Sequence, residues 1–426
     1  MKRIIIIILL VLVIGPVVFV GAALETRSLV PKDIAVTPED AQRARALFRE
    51  FRALTEVVDG NREFKASESD LQSAMRFAMR AVPTARGYAE VSDGNVNLST
   101  SIGLPANLWL NISADIGESK EGIFITWFRF GRFSISPHII VPMARGALNV
   151  VLGDDLGTVA LSAVRDVRIS NDIVQATVTL DREQRKALAK SAKGTVRDAS
   201  GLASEELVRS YWLALHNASK SKLLPTSGSL TNYPVFAMRL AIDRAGSENG
   251  FEKEAEAALL AFAIYCGHPK FQQLVGDVVP ENLSKQKSGC TGTTLADRGD
   301  LRQHFAISAG LHAASNAGTA FAIGEFKELL DAGKDGSGFS FDDIAADLSG
   351  IRFADLFLKS GPIAAENALL RIRDESSFFP TISDLPSFMS QQEFEERFGE
   401  VDSNAYKSML LQIKNRIDRL PIYDGQ

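Results

Sequence analysis

The hydrophobic pattern of this 426-residue chain changes period several times. Residues 4–23, IIIIILLVLVIGPVVFVGAA, are apolar without interruption behind Lys2 and Arg3. From Ala41 to Val58 the apolar positions Leu47, Phe48, Phe51 and Leu54 alternate with arginines at helical spacing. Thr37-Pro38-Glu39-Asp40 supplies a cap, a first-turn proline and acids ahead of them. Asp59-Gly60-Asn61 should end that helix, and a second should start at Ser67, carry Leu71, Met75, Phe77 and Met79, and stop near Pro83. From Gly87 the period falls to two. Asn95–Ser101, Leu108–Ile116 and Ile123–Phe130 read as antiparallel strands between the turns Ser92-Asp93-Gly94 and Gly117–Gly122. His138–Leu152 returns to helix, and Val164–Ile169 with Ile173–Leu180 form a hairpin over Ser170-Asn171-Asp172. After Asp181 no strand signal survives. Helices are expected over Arg182–Lys193, Ser204–Lys222, Tyr233–Ala245, Glu252–Tyr265, Leu301–Ser315, Phe321–Ala332, Phe341–Phe357 and Gln391–Leu420.

These patterns predict an α+β chain in four parts: a membrane helix over 1–23, a linker over 24–36 broken by Pro31, an α+β domain with an antiparallel sheet over 37–182, and an all-α domain over 183–426. Twenty apolar residues at about 1.5 Å each span a hydrocarbon core of roughly 30 Å. Positive charge ahead of them keeps the tip in the cytoplasm and sends the rest outward, which implies a single-pass bacterial inner-membrane protein with its bulk in the periplasm. A cleaved signal peptide is the competing reading, since Gly21-Ala22-Ala23 are small enough for a protease; its apolar region is usually only ~7–15 residues, and this run is longer, which favours an anchor or an uncleaved signal.

Composition adds limits. The chain is 46% apolar and 23% charged with a net charge of −5, and it has no run of five like charges, so nothing points to a nucleic-acid partner. Its only cysteines, Cys266 and Cys290, both lie in the exported part, where a disulfide is their simplest use; C-x-x-C redox spacing and a second metal-binding pair are absent.

The densest polar cluster begins at Asp297-Arg298-Gly299-Asp300. Asp300, His304 and Ser308 follow at i, i+4, i+8 on one helix face. Glu328 and Asp331 share a second face, and Asp343 and Asp347 a third. Ser340 and Asp343 make a capping box. Three helices offering an imidazole and carboxylates to one centre could hold a divalent metal, perform acid–base hydrolysis, or form a buried network that sets helix register. No H-E-x-x-H is present and no cofactor is indicated. In the sheet, Trp109, Trp127 and Phe128 are candidate ligand-binding aromatics, with Phe124, Phe130 and Phe133 beside them; core packing is the competing use of such residues. Adjacent Trp127 and Phe128 must point to opposite faces.

Residues 297–353, through His304-Phe305, Ser308-Ala309, Lys327-Glu328, Asp331, Gly338-Phe339-Ser340, Asp343, Asp347 and Gly350, resemble the YfiM family of predicted periplasmic lipoproteins. The likeness covers about an eighth of the chain and implies an envelope location without an assigned activity. The chain departs from that family in having an apolar anchor in place of a lipidated cysteine and a large preceding domain. The first domain, with Ala66-Ser67-Glu68-Ser69-Asp70-Leu71 ahead of a sheet, is more distantly similar to YpmS-type extracytoplasmic modules, which implies ligand holding or scaffolding. The function expected from all this is non-catalytic binding or scaffolding of lipid, polysaccharide or protein partners at the cell envelope. The alternative is an envelope hydrolase or metal-binding protein using His304 with Glu328, Asp331, Asp343 or Asp347.

Overall fold

A computed structural model of the chain describes residues 21–31, 37–55, 61–80, 82, 84–92, 94–153, 155–188, 203–245, 248–314, 323, 327, 338–401 and 403–425. It is mixed α+β, with antiparallel sheets and helices in two compact units that divide near residue 192. The apolar run over 4–20 lies outside the described residues; among those described, no helix is long and apolar enough to cross a membrane.

Side-chain caps start the first helices where the sequence puts them. The Thr37 hydroxyl accepts from the Asp40 N–H while the Asp40 carboxylate accepts from the Thr37 N–H, and the helix Pro38–Thr55 follows. Ser67 and Asp70 repeat the exchange ahead of the helix Glu68–Arg80. Between these helices the chain forms a strand that the sequence reading lacked, β1 (Asn61–Ser67). Its only apolar side chains are Phe64 and Ala66, too few to establish a period. Pairing with a later strand makes it a strand.

Two antiparallel sheets build the first unit. Five strands run in the order β2 (Ala85–Ser92), β3 (Asn95–Leu104), β4 (Leu108–Gly117), β6 (Phe124–Phe130) and β7 (Phe133–Ile135). The other sheet orders β1, β9 (Ile173–Thr179), β8 (Val164–Ser170) and β5 (Ser119–Glu121). The β8–β9 hairpin turns at Asn171 and Asp172, both at positive φ, the backbone that a two-residue hairpin turn requires. The core lies where Val91 and Val96 of the large sheet meet Val167 and Ile169 of the small one, with Leu71 packed beside them.

Cross-strand register sorts the large sheet into an apolar and a polar face. Leu98, Ala114, Phe128 and Ile135 stand in one row, and Thr100, Ile112, Phe130 and Phe133 in the next. The other face carries Ser99, Ser101, Asn111 and Ser113, all buried although polar. What covers Ser101 and Asn111 corrects the expected linker: residues 24–31 lie on this face. Glu25 exchanges two backbone hydrogen bonds with Trp109, its carboxylate meets Arg129 and the Asn111 amide, and the Leu29 N–H reaches Ser101 and Asn111. Polar groups line both sides of that contact, so amphipathic periodicity could not reveal it. Residues 32–36 are outside the described set.

In the second unit Ser204 caps Glu205–Lys220 through the Leu207 N–H. Helices Asn232–Ala245, Glu248–Phe262, Gly299–Ala314 and Phe341–Lys359 follow, the third and fourth packed side by side. Helix Glu248–Phe262 runs into a π-helical turn, Ala263–Gly267. Three sequence expectations are corrected here. A short parallel pair, Ser227–Ser229 with Gly292–Thr294, exists where no strand was expected; three residues leave no period to read. Helix Pro362–Leu370 was also missed. The single helix expected over Gln391–Leu420 is two, Gln391–Phe398 and Asn404–Asp418, because Gly399 adopts φ 72° and Ser403 caps a new start. Of Arg182–Lys193 only 182–188 are described, and they are helical; of Phe321–Ala332 only Ile323 and Lys327 are described.

Cys266, on the π-helical turn, is disulfide-bonded to Cys290, with Cα atoms 5.1 Å apart, and no free cysteine remains.

Candidate functional site

The helices Gly299–Ala314 and Phe341–Lys359 approach closely enough for a Cβ on Gly350 to stand 2.2 Å from the Phe305 carbonyl oxygen, so only glycine fits there. That contact brings the polar side chains of the two helices into reach. His304 Nδ1 lies 3.1 Å from Asp347 Oδ1, and its Nε2 lies 3.3 Å from Asp343 Oδ2. The Ser308 hydroxyl donates to the same Asp347 oxygen at 2.6 Å. Two turns further along both helices, His312 Nε2 and Asp355 Oδ1 are 3.2 Å apart. Since 304 pairs with 347 and 312 with 355, the two helices run in the same direction.

Arg298 gathers the acids at the near end. Its Nη1 donates to Asp342 at 2.7 Å, and its Nη2 to Asp343 at 2.9 Å and Asp300 at 2.6 Å. Lys327 Nζ stands 3.8 Å from Asp343 Oδ2. Ser340 accepts from the Asp343 N–H, the hydroxyl half of the expected capping box, while the Asp343 carboxylate meets Arg298 and His304. Asp300 faces Arg298, so the i, i+4, i+8 row of Asp300, His304 and Ser308 is divided: the last two reach Asp347, and the first does not. Glu328 and Asp331 lie outside the described residues.

Electrostatics follow from burial. His304 is 7% exposed and Asp347 2%. Burial disfavours the imidazolium, but Asp347, by charge and hydrogen bond, and then Asp343 outweigh it and lift the His304 pKa to about 9. Desolvation pushes Asp343 and Asp342 up from the ordinary carboxylate range, against the pull of the cations. The raised pKa keeps His304 protonated at neutral pH, with Nδ1 in hydrogen-bond reach of Asp347 and Nε2 ion-paired with Asp343.

This arrangement bears on the chemistry open to the cluster. A general base needs a nitrogen lone pair aimed at a substrate proton, and a metal ligand needs one aimed at the ion. Both His304 nitrogens face carboxylates on opposite edges of the ring. Ser308 gives its proton to Asp347 and not to the imidazole, so the three groups do not form a nucleophilic relay. Among the described residues no group of three His, Cys, Asp or Glu side chains converges as metal ligands do.

Stability should depend on pH with a definite sign. His304 has its folded pKa raised above the unfolded value of 6.5, so its contribution is complete below about 6.5 and disappears as pH climbs through about 9. The span of roughly 2.5 units corresponds to about 3 kcal/mol at most. Urea midpoints measured from pH 6 to 9.5 should therefore fall across that window; a flat profile would contradict an imidazolium in the folded state.

The aromatic candidates of the first unit are split between faces. Asp115 pairs with Trp127 and Ile116 with Ile125, which leaves Thr126 as an extra residue in β6. The bulge puts exposed Phe124 and Trp127 on the polar face, while Phe128 belongs to the apolar one. Trp109 lies on the polar face with the Arg86 guanidinium 4.6 Å over its ring. Trp109, Trp127 and Phe128 therefore do not line one groove.

Arg298 and Asp342 belonged to the expected polar cluster without an assigned part, His312 was set aside as two turns away, and Asp355 was missed. The i+8 spacing repeated in His304/His312 and Asp347/Asp355 was the available signal for the last pair. No protein-family model matches the chain, and neither does any curated protein or solved structure.

Proposed function

We propose that the chain is a membrane-anchored cell-envelope protein of non-catalytic function, which holds a lipid component of the envelope on the large sheet of its first unit. The observation that carries this reading is the incomplete cover of the sheet's apolar face. Toward the β2–β3 turn that face is closed by the small sheet and by the helix Glu68–Arg80. Further along, Ile102, Leu110, Ile112, Phe128 and Phe130 are only half-buried. The helix Pro137–Leu152, among the most apolar of the unit, exposes Ile139 and Met143 and has no buried residue among those described. A contiguous apolar strip of this kind, left partly open, suits an acyl chain better than a glycan, whose hydroxyls would find no partners there.

Export is supported by the charged-then-apolar leader and by a disulfide in place of free thiols. The resemblance to YfiM-like and YpmS-type envelope proteins agrees with that address. A catalytic use of the His304 cluster has less support, because its imidazole is enclosed by its own carboxylates.

The test is photolabelling of the full-length chain in its native membranes with a diazirine-bearing phosphatidylethanolamine, followed by peptide mapping. Label concentrated on β3, β4, β6 and the Pro137–Leu152 helix is the expected result. Label confined to residues 1–23 would defeat the lipid-holding part. A carboxyl-terminal alkaline phosphatase fusion should be active; an inactive fusion beside a fluorescent cytosolic one would defeat the export part.

A further inference from the structure

A cavity of about 530 Å³ in the second unit has no part in the polar centre around His304. It lies where three irregular pieces of backbone meet. One is the end of the helix Glu205–Lys220, which brings Lys220 and, just beyond it, Lys222. Another is the π-helical turn that carries Tyr265, a distortion of a kind often found at functional sites. The last is the disulfide-bonded segment with Lys287 and Gly289.

The lining is cationic. Lys220, Lys222 and Lys287 all border the cavity, no carboxylate does, and none of the three lysines has an ion-pair partner among the described residues. Lys222 sits at φ 62°, in the left-handed backbone that normally goes to glycine after a helix. A lysine held there at a conformational cost is an outlier that invites a functional reason. The helix-end carbonyls of Asn217, Ala218 and Ser219, which would repel an anion, are taken up by the N–H groups of residues 221–224. His216 is stacked on Trp212 and meets the Tyr265 ring edge-on, and its pKa is lowered by burial and then by the Lys220 charge. The Tyr265 hydroxyl accepts from the Gly289 N–H at 3.0 Å and keeps its own proton to donate. A Cβ on Gly289 would fall 1.7 Å from Ser219 Oγ, so the disulfide-held segment can close on the helix only with glycine there.

We infer that this cavity binds a phosphate-bearing small molecule, with Lys220, Lys222 and Lys287 on the phosphate and the Tyr265–His216 side against its organic body. Three ammonium groups match the charge of a phosphate ester or diphosphate, for which lysine serves as a point-charge partner, and exceed what one carboxylate needs. The volume is well above that of a bare phosphate ion and within the range of small-ligand sites. The cavity belongs wholly to the helical unit, so its ligand is independent of what the large sheet holds. A free phosphorylated metabolite and a phospholipid headgroup share this chemistry.

The experiment is calorimetric titration of the purified full chain with inorganic pyrophosphate at fixed ionic strength, beside flotation with vesicles of phosphatidylglycerol or of phosphatidylcholine. Saturable pyrophosphate binding that weakens about tenfold or more in the triple variant Lys220→Gln, Lys222→Gln, Lys287→Gln supports the site, as lost charge-assisted contacts require. Lys407→Gln, at an exposed site elsewhere, should bind as the wild type does. Vesicle binding dependent on the same lysines and specific to phosphatidylglycerol supports the headgroup source; pyrophosphate binding without it supports the soluble one. Unchanged binding by a triple variant with wild-type melting, or binding by the wild type to neither probe, overturns the inference. Lys222→Gly alone is the guard against misfolding, since it relieves the backbone: it should melt no lower than the wild type and still bind pyrophosphate more weakly.

Discussion

His304→Ala should lower the stability of the helical unit by about 3–5 kcal/mol, the usual cost of removing one partner from a buried ion pair. The imidazolium is the charge that Asp347 and Asp343 share between the two helices, and Asp347 is 2% exposed. Alanine takes the cation away from Asp347, which keeps only the Ser308 hydroxyl, while Asp343 keeps Arg298. For a unit of this size the loss corresponds to a drop of about 10 °C in melting temperature. Asp347→Ala alone should also be costly, since it takes from His304 one of its two carboxylates and from the Ser308 hydroxyl its acceptor. The double variant should lose less than the sum of the two, by about 1–3 kcal/mol, because neither charge is then left without the other. A catalytic cluster behaves differently: the single variants would melt near the wild type and the cycle would close to zero. Calorimetric melting of the four proteins, wild type included, decides between these outcomes.

The parts of the fold that were legible in the sequence are those specified by local chemistry. Thr37 with Asp40 and Ser67 with Asp70 start helices because a hydroxyl and a carboxylate three residues apart satisfy free amides wherever the chain goes. The hairpin over Asn171-Asp172 is equally local. Elements that depend on distant partners were not legible. β1 has two apolar residues and exists because β9 lies beside it. Residues 24–31 join the polar face of the sheet through Glu25, Ser101 and Asn111, pairings that hydropathy cannot see. Gly399 looks like any glycine inside a helical pattern until its backbone turns left-handed.

The candidate site divides along the same line. Helical spacing placed His304 with Ser308 and Asp343 with Asp347 on their faces, and those four do meet. Spacing could not say that Arg298 would draw Asp300 away from the row, nor that each imidazole nitrogen would find its own carboxylate. The second of these changes the chemistry: a histidine with one free nitrogen is a reagent, and a histidine with none is a clasp. The lysine cavity was out of reach altogether, since residues 220, 222 and 287 come together only through the disulfide and the π-helical turn.

Replacing Cys266 and Cys290 together by serine should cost about 3.5 kcal/mol on the loop-entropy account, for a closed loop of roughly 25 residues. Both cysteines are fully buried, so the serine hydroxyls add a desolvation cost that reduction of the wild type does not. The double variant should consequently melt below the reduced wild type, and both below the oxidised protein. The loss should not stay local. Cys266 lies on the π-helical turn, where its carbonyl accepts from buried Arg302 of the helix that also bears His304. Cys290 follows Gly289, whose N–H donates to Tyr265. Opening the bridge therefore loosens Lys287 and Gly289 from the lysine cavity, and pyrophosphate affinity should fall in the reduced protein even at temperatures where it stays folded. Melting curves and titrations with and without reductant read both effects. Equal melting of the oxidised and reduced forms would mean that packing alone holds residues 266–290, and unchanged pyrophosphate affinity would mean that Lys287 does not depend on the bridge for its place.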